Sequence, residues 1–221
     1  MPPKWDENTD DAAPLRERLR HVYWVGGGSG AGKSAVARRV AARHGLRVYS
    51  TDDAMAEHAR RAPREDCPLL HEFIRMDMDE RWVNRPPQIM LETFHWFRGE
   101  CFRLIVEDLL GLPREPVIAE GFRLLPRLVG PLLSAPARAV WLLPTPEFRR
   151  RVFEGRGGAA WGFLAKTGEP ERALRNLLER DRMFTDALRE ETARLGLHAV
   201  EVDTETTEDE LVNRAAEVFG L

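Results

Sequence analysis

The chain has 221 residues, 43% of them hydrophobic and 31% charged, with a formal net charge of −3. That length suits one α/β domain with a sizeable core, and the slight acidic balance excludes a general polyanion binder, so no nucleic-acid partner is expected. No apolar run approaches a membrane span and the N-terminus is polar and acidic, unlike a secretory leader, so the expectation is a cytoplasmic protein with no membrane partner.

In chain order, residues 1–13 are polar and contain prolines, which predicts a loose tail ahead of a single domain over 14–221. His21-Val22-Tyr23-Trp24-Val25 is a β-branched and aromatic run and predicts a strand. Gly27-Gly28-Ser29-Gly30-Ala31-Gly32-Lys33-Ser34 follows, a complete G-x-x-x-x-G-K-[ST] loop. Ala35 to His44 has a helical pattern that Gly45 stops. Leu46 to Ser50 predicts a second strand ending in Thr51-Asp52-Asp53. Beyond Pro63 and Pro68, helical patterns cover 69–83 and 87–110, and Gln88 to Leu110 predicts one long amphipathic helix. Pro116 to Glu120, Ala139 to Leu143 and Ala199 to Asp203 predict three further strands. A long helix is expected from Glu169 to Leu195 and a last one from Glu208 to Phe219. Cys67 and Cys101 set neither a disulfide framework nor a metal-ligand spacing, which suits a reducing compartment. Only three lysines occur, Lys4, Lys33 and Lys166, so nearly all basic residues are arginine, as a GC-rich genome would produce.

Strand, glycine loop and helix in succession turn the motif into a mechanism. Glycines let consecutive backbone N–H groups face an anion with no Cβ in the way, and the helix start adds its positive dipole end. Gly27 to Ser34 therefore predict a nucleoside triphosphate site. Lys33 would reach the β- and γ-phosphates and the Ser34 hydroxyl would ligate Mg²⁺. Short apolar strands alternating with helices imply a three-layer α/β/α fold with a mainly parallel five-stranded sheet. Ligands of such sheets sit beyond the carboxyl ends of the strands. The glycine loop, Thr51-Asp52-Asp53, Glu120-Gly121-Phe122-Arg123, Pro144-Thr145 and Asp203-Thr204 are thus expected around one cleft.

This order and spacing resembles the small phosphate-loop kinases that include the adenylate, shikimate, gluconate and chloramphenicol kinases. The resemblance spans Val22 to Phe219, although only Gly27 to Ser34 is a specific motif. The run Val117-Ile118-Ala119-Glu120-Gly121 is also similar to the zeta-toxin kinases. A GTPase would carry an N-K-x-D guanine motif, which is missing, and the third strand ends in one glutamate where a motor ATPase is aspartate-rich. The resemblance implies ATP and Mg²⁺ as cofactors and a small-molecule hydroxyl as acceptor, with a helical acceptor region over about 53–111 and a lid over about 147–170. The acceptor class stays open among sugar, nucleoside, hydroxy acid and antibiotic-like metabolite. A nucleoside or nucleotide kinase shares every motif, and a non-catalytic ATP-binding regulatory module would share the loop.

By the same resemblance, an acidic residue after the second strand touches the acceptor, and Asp52 and Asp53 occupy that place. Asp52, just beyond the strand where its side chain would face the γ-phosphate, is expected to accept or orient the hydroxyl proton, with Asp53 as the alternative and the other carboxylate capping the next helix. Glu120 ends an apolar strand, where an unpaired carboxylate is costly, so it serves either a Mg²⁺-bound water or a structural ion pair. Arg123 either clamps an anionic or polyhydroxylated acceptor or pairs with Glu120. Arg149, Arg150, Arg151 and Arg156, beside glycines 155, 157 and 158, resemble an arginine-bearing lid, with Arg149 and Arg156 expected to stabilise the transferring phosphoryl group. Arg180-Asp181-Arg182 is comparable, with Asp181 pairing to a neighbour. Asp203 and Thr204 would line the adenine pocket. Between the second and third strands, His71, Arg75, His95, Trp96 and Arg98 form either an acceptor pocket or, with Phe94, Phe97, Phe102 and Ile105, part of a core stripe. The histidines lack metal-ligand spacing.

Overall fold

The computed structural model describes residues 12–221. The tail expected over 1–13 therefore lies outside the described residues, apart from Ala12 and Ala13, which open helix α1 (Ala12–Arg18).

Five short strands, β1 (Val22–Gly27), β2 (Arg47–Ser50), β3 (Val117–Glu120), β4 (Ala139–Pro144) and β5 (His198–Val202), form one sheet in the order β2-β3-β1-β4-β5. Every neighbouring pair is parallel. The inner strands β1, β3 and β4 are buried throughout, as their unbroken apolar runs require, whereas the edges β2 and β5 are partly exposed. On one face, α2 (Lys33–His44) and α11 (Glu208–Phe219) cover Val25, Ile118, Val140 and Leu142 with Val36, Val40, Val212 and Phe219. On the other, α7 (Phe102–Gly111), α8 (Pro126–Val129) and α10 (Pro170–Leu195) enclose Trp24 and Trp141 with Ile105, Leu109, Val129, Phe184 and Leu188. Trp141 Nε1 donates to Leu124 O at 2.8 Å, so a large aromatic fills the core without an unmet donor. The fold is thus a three-layer α/β/α sandwich.

The helices end as their sequences dictate. α2 and α10 stop at Gly45 and Gly196, both left-handed, and α11 starts with a capping box between Thr207 and Glu210. The region between β2 and β3 is more broken than expected. The pattern over 69–83 splits into α4 (Pro68–Arg75) and a π-helical turn (Glu80–Asn84), following α3 (Met55–Arg61). The single helix expected over Gln88 to Leu110 is three: α5 (Pro87–Thr93), α6 (His95–Arg98) and α7. Phe94 is extended at the first break, and Gly99 (φ 86°) and Cys101 (φ 62°) are left-handed at the second. Phe94 leaves the helix so that its ring can join Phe73, Trp82 and Phe97, a packing gain that overrides the local periodicity.

The second break also corrects the expectation for the cysteines. The left-handed turn at Cys101 brings it beside Cys67, ahead of α4, and the two form a disulfide with Cα atoms 6.4 Å apart. They are 34 positions apart in sequence, and nothing local signals the turn that joins them. Among the described residues no helix is long and apolar enough to cross a membrane.

Candidate active site

β1 runs straight into the glycine loop, and α2 begins at Lys33. The strand order changes direction at β1, so the loop opens at the crevice where parallel sheets hold ligands. Gly30 shows why the loop needs glycine. Its φ is +76°, and a Cβ there would stand 2.6 Å from Arg149 Nη1. Lys33 is buried, and its Nζ donates to Gly28 O at 2.7 Å, so the ammonium lies back across the loop. Burial lowers the Lys33 pKa to about 8, against the opposing pull of the nearby Asp52 and Glu120 carboxylates. Arg149 and Asp181 are also within electrostatic reach of that ammonium.

The ends of β2 and β3 supply the acidic groups. Glu120 is paired in register with Val25 on one side and Ser50 on the other, which carries its side chain to the foot of the loop. It is 2% exposed and accepts from Ser34 Oγ at 3.1 Å. Among the described residues Arg123 makes no ion pair with Glu120, so the fold does not adopt the structural pairing of these two. Gly121 follows at φ +147°, where a Cβ would collide with the Thr51 hydroxyl, so β2 and β3 approach closely at their ends. Thr51 N donates to Glu120 O at 2.9 Å and fixes the start of the acidic turn. Asp52 then points inward and Asp53 is exposed. Burial raises the Asp52 carboxyl above its ordinary value, although Lys33 and Arg123 pull the other way. Neither aspartate caps α3 through its side chain.

Arg123 is 2% exposed. It donates to Thr51 O at 3.2 Å and lies over the Trp96 ring at 4.0 Å, leaving Nε and Nη2 without protein partners among the described residues. Burial lowers its pKa to about 10. Trp96 thus both packs in the core and shapes the site. His95 is enclosed by Phe73, Phe94 and Trp96, and burial lowers its pKa to about 3, so it stays neutral.

From β4, Thr145 caps α9 (Pro146–Gly155) and Arg149 turns inward from its first turns. The other arginines separate from it. Arg150 and Arg151 are exposed on α9, Arg151 donating to Thr204 O at 3.0 Å, and both line a cleft with Pro146, Glu147, Glu154 and Thr204. Arg156 is exposed and lies over Trp161 at 5.3 Å. Asp203 ties its own turn together, where its carboxylate accepts from the backbone of Glu205 and Thr206 and from the Thr206 hydroxyl. Arg182 is on the surface with Glu179 and Asp186.

α10 contributes more to the site than its sequence suggests. Arg180 and Asp181 are buried, and Thr185 lies against Gly28. The signal was a charged pair set within the apolar stripe of Ala173, Leu177, Phe184 and Leu188, where burial of ions demands a reason. The residues fit a triphosphate with Mg²⁺. The loop is a cradle that a Cβ at Gly30 would fill, Ser34 and Glu120 offer the hard oxygen donors that Mg²⁺ prefers, and Lys33 and Arg149 offer charge.

No family model matches the chain, and no curated protein matches it. Among solved structures it is similar to a gluconokinase from Sinorhizobium meliloti 1021, with 20% identity and a TM-score of 0.44 over 90% of each chain. The chain's own sheet order and glycine loop make it a phosphate-loop α/β/α protein.

Proposed function

We propose that the protein is an ATP- and Mg²⁺-dependent phosphotransferase that moves the γ-phosphoryl group to a hydroxyl of a small molecule. The observation that carries this is the meeting of Lys33, the Ser34–Glu120 pair and an inward Asp52 at one end of the sheet. Binding alone would need the loop; an inward, half-buried carboxylate beside it is what transfer to a hydroxyl needs in addition.

Gly27 to Gly32 would hold the phosphates through backbone N–H groups. Mg²⁺, held by Ser34 with Glu120 orienting its water, would neutralise phosphate oxygens. Asp52 takes the proton of the acceptor hydroxyl as its oxygen bonds to the γ-phosphorus. The bond from that phosphorus to the bridging oxygen breaks, and ADP leaves with the electron pair. Lys33 and Arg149 stabilise the charge on the transferring group. Arg123, with Nε and Nη2 unpartnered among the described residues and close to Asp52, would hold an anionic or polyhydroxylated part of the acceptor. Thr204, Arg150 and Arg151 would line the base, with Asp203 shaping that turn.

The test is incubation with Mg²⁺ and γ-labelled ATP against pooled sugars, nucleosides, nucleotides, hydroxy acids and antibiotics. Label should appear in one pool and vanish in Lys33→Ala. ATP bound tightly with no label in any pool would favour a regulatory nucleotide-binding module instead.

A further inference from the structure

The buried pair on α10 has no part in that scheme, yet its geometry is tightly constrained. Asp181 is 2% exposed, and its acceptor capacity goes to two guanidiniums. Oδ2 accepts from Arg149 Nε at 3.0 Å and from Arg149 Nη2; Oδ1 accepts from Arg180 Nε at 3.2 Å and Nη2 at 2.7 Å. Burial by itself would raise the Asp181 carboxyl, but Arg180 and Arg149 outweigh it and hold it below the usual range.

The consequence lies at the other end of Arg149. With the Nε–Nη2 edge engaged and the guanidinium over Phe153 at 4.1 Å, Nη1 is what remains. It is buried without a partner among the described residues and faces Gly30, where a Cβ would meet it at 2.6 Å. The charge of the Arg149 guanidinium also helps, after burial, to lower the nearby Lys33 ammonium. Arg180 is held in turn against Trp82, Phe94 and Phe97 at 5.2, 4.7 and 5.0 Å, in the region between β2 and β3. Two buried cations share one carboxylate, so the cluster carries an excess positive charge whose unpaired donor points at the loop. A buried charge of this kind calls for an anion.

We propose that Asp181 is a positioning residue that orients Arg149, so that Nη1 donates to the terminal phosphoryl group of a triphosphate on the loop. This rests on the loop's binding a nucleoside triphosphate. Asp181 touches no ligand itself; it acts by removing the rotational freedom of the guanidinium that does. The phosphate loop would hold a diphosphate equally well without it, and the arginine adds preference for the third phosphate.

The test is calorimetric binding of Mg²⁺ complexes of ADP and of the non-hydrolysable β,γ-imido analogue of ATP. Wild type should prefer the triphosphate analogue by at least about tenfold, the scale of one charge-assisted hydrogen bond. Asp181→Asn and Arg149→Ala should each lower analogue affinity about tenfold while ADP affinity moves less than about twofold. In the Arg149→Ala background, adding Asp181→Asn should change nothing further, because Asp181 acts through Arg149. Equal losses for both nucleotides, or additive losses in the double variant, would overturn the proposal. Should Asp181→Asn melt below the assay temperature, Arg149→Lys keeps the charge without the fork; a preference retained there also overturns it. A wild type that binds neither nucleotide sinks the triphosphate site and this proposal together, whereas a wild-type preference that survives Asp181→Asn sinks this proposal alone.

Discussion

Lys33 and Asp52 are shifted toward each other by the same burial, one losing its proton more readily and the other less, and that sets the pH behaviour. The Lys33 ammonium, lowered to about 8, is lost as pH rises through that value, removing a phosphate contact. The Asp52 carboxyl, raised from its ordinary value, must be deprotonated to act as a base and is lost as pH falls toward that raised value. We therefore expect kcat/KM for ATP to be bell-shaped, with its alkaline limb near pH 8. The alkaline limb should move upward in kcat, because bound phosphate stabilises the ammonium; a limb unmoved between the two plots contradicts the assignment to Lys33. Asp52→Asn should lower turnover by about 10²- to 10⁴-fold with ATP affinity nearly unchanged. Single-turnover measurement checks this, and normal turnover would remove Asp52 from the chemistry. The exposed Asp53 would then be a poor replacement, since its side chain faces solvent. The choice between these neighbours illustrates what is legible in a sequence. The acidic position and the preference for Asp52 were evident from its place just after a strand, whereas the exposure of Asp53 and the hydrogen bond from Thr51 N to Glu120 O, which ties the ends of two strands together there, belong to the tertiary structure.

The helices between β2 and β3 show where local pattern gives way to packing. Their apolar spacing is helical throughout, yet Phe94 and Cys101 leave the helix, one to complete an aromatic cluster and the other to reach Cys67. Glu100, between them, accepts from Leu69 N and Leu70 N at 2.9 Å, capping α4 from a different element. The disulfide and this cap join the same two segments. Closing a loop of this length contributes about 3–4 kcal/mol in the chain-entropy account. For a chain of this size that corresponds to a fall in melting temperature of roughly 10 °C on reduction. Thermal melts with and without a thiol reductant check this, and Cys67→Ala should melt with the reduced protein. Identical melts would show that the pair does not constrain the fold. On α10, by contrast, the expected span is the observed one to within a residue, because proline at its start and Gly196 at its end are local signals.

Across the whole molecule the sheet gathers side chains from its five strand ends and one long helix. Ligand binding should therefore stabilise the fold as a unit. At a concentration about one hundred times its dissociation constant, Mg²⁺-ATP adds about 2.7 kcal/mol, or roughly 5–10 °C in melting temperature for a protein of this size. Differential scanning fluorimetry would show the shift in wild type and its loss in Lys33→Ala; an equal shift in both would mean that the nucleotide binds elsewhere.

The sequence by itself determined the phosphate loop, the alternation of strands and helices, and the strand ends at which acidic and basic residues appear, because each is set by neighbours within a few positions. Only the tertiary structure decided how those residues divide their work. Of the lid arginines, Arg149 meets the loop while Arg156 lies over Trp161, Asp203 ties a turn, and Asp181 holds two guanidiniums at once. Charge on an isolated chain is solvated in every direction. Burial against partners distant in sequence is what leaves one donor, Arg149 Nη1, facing the loop.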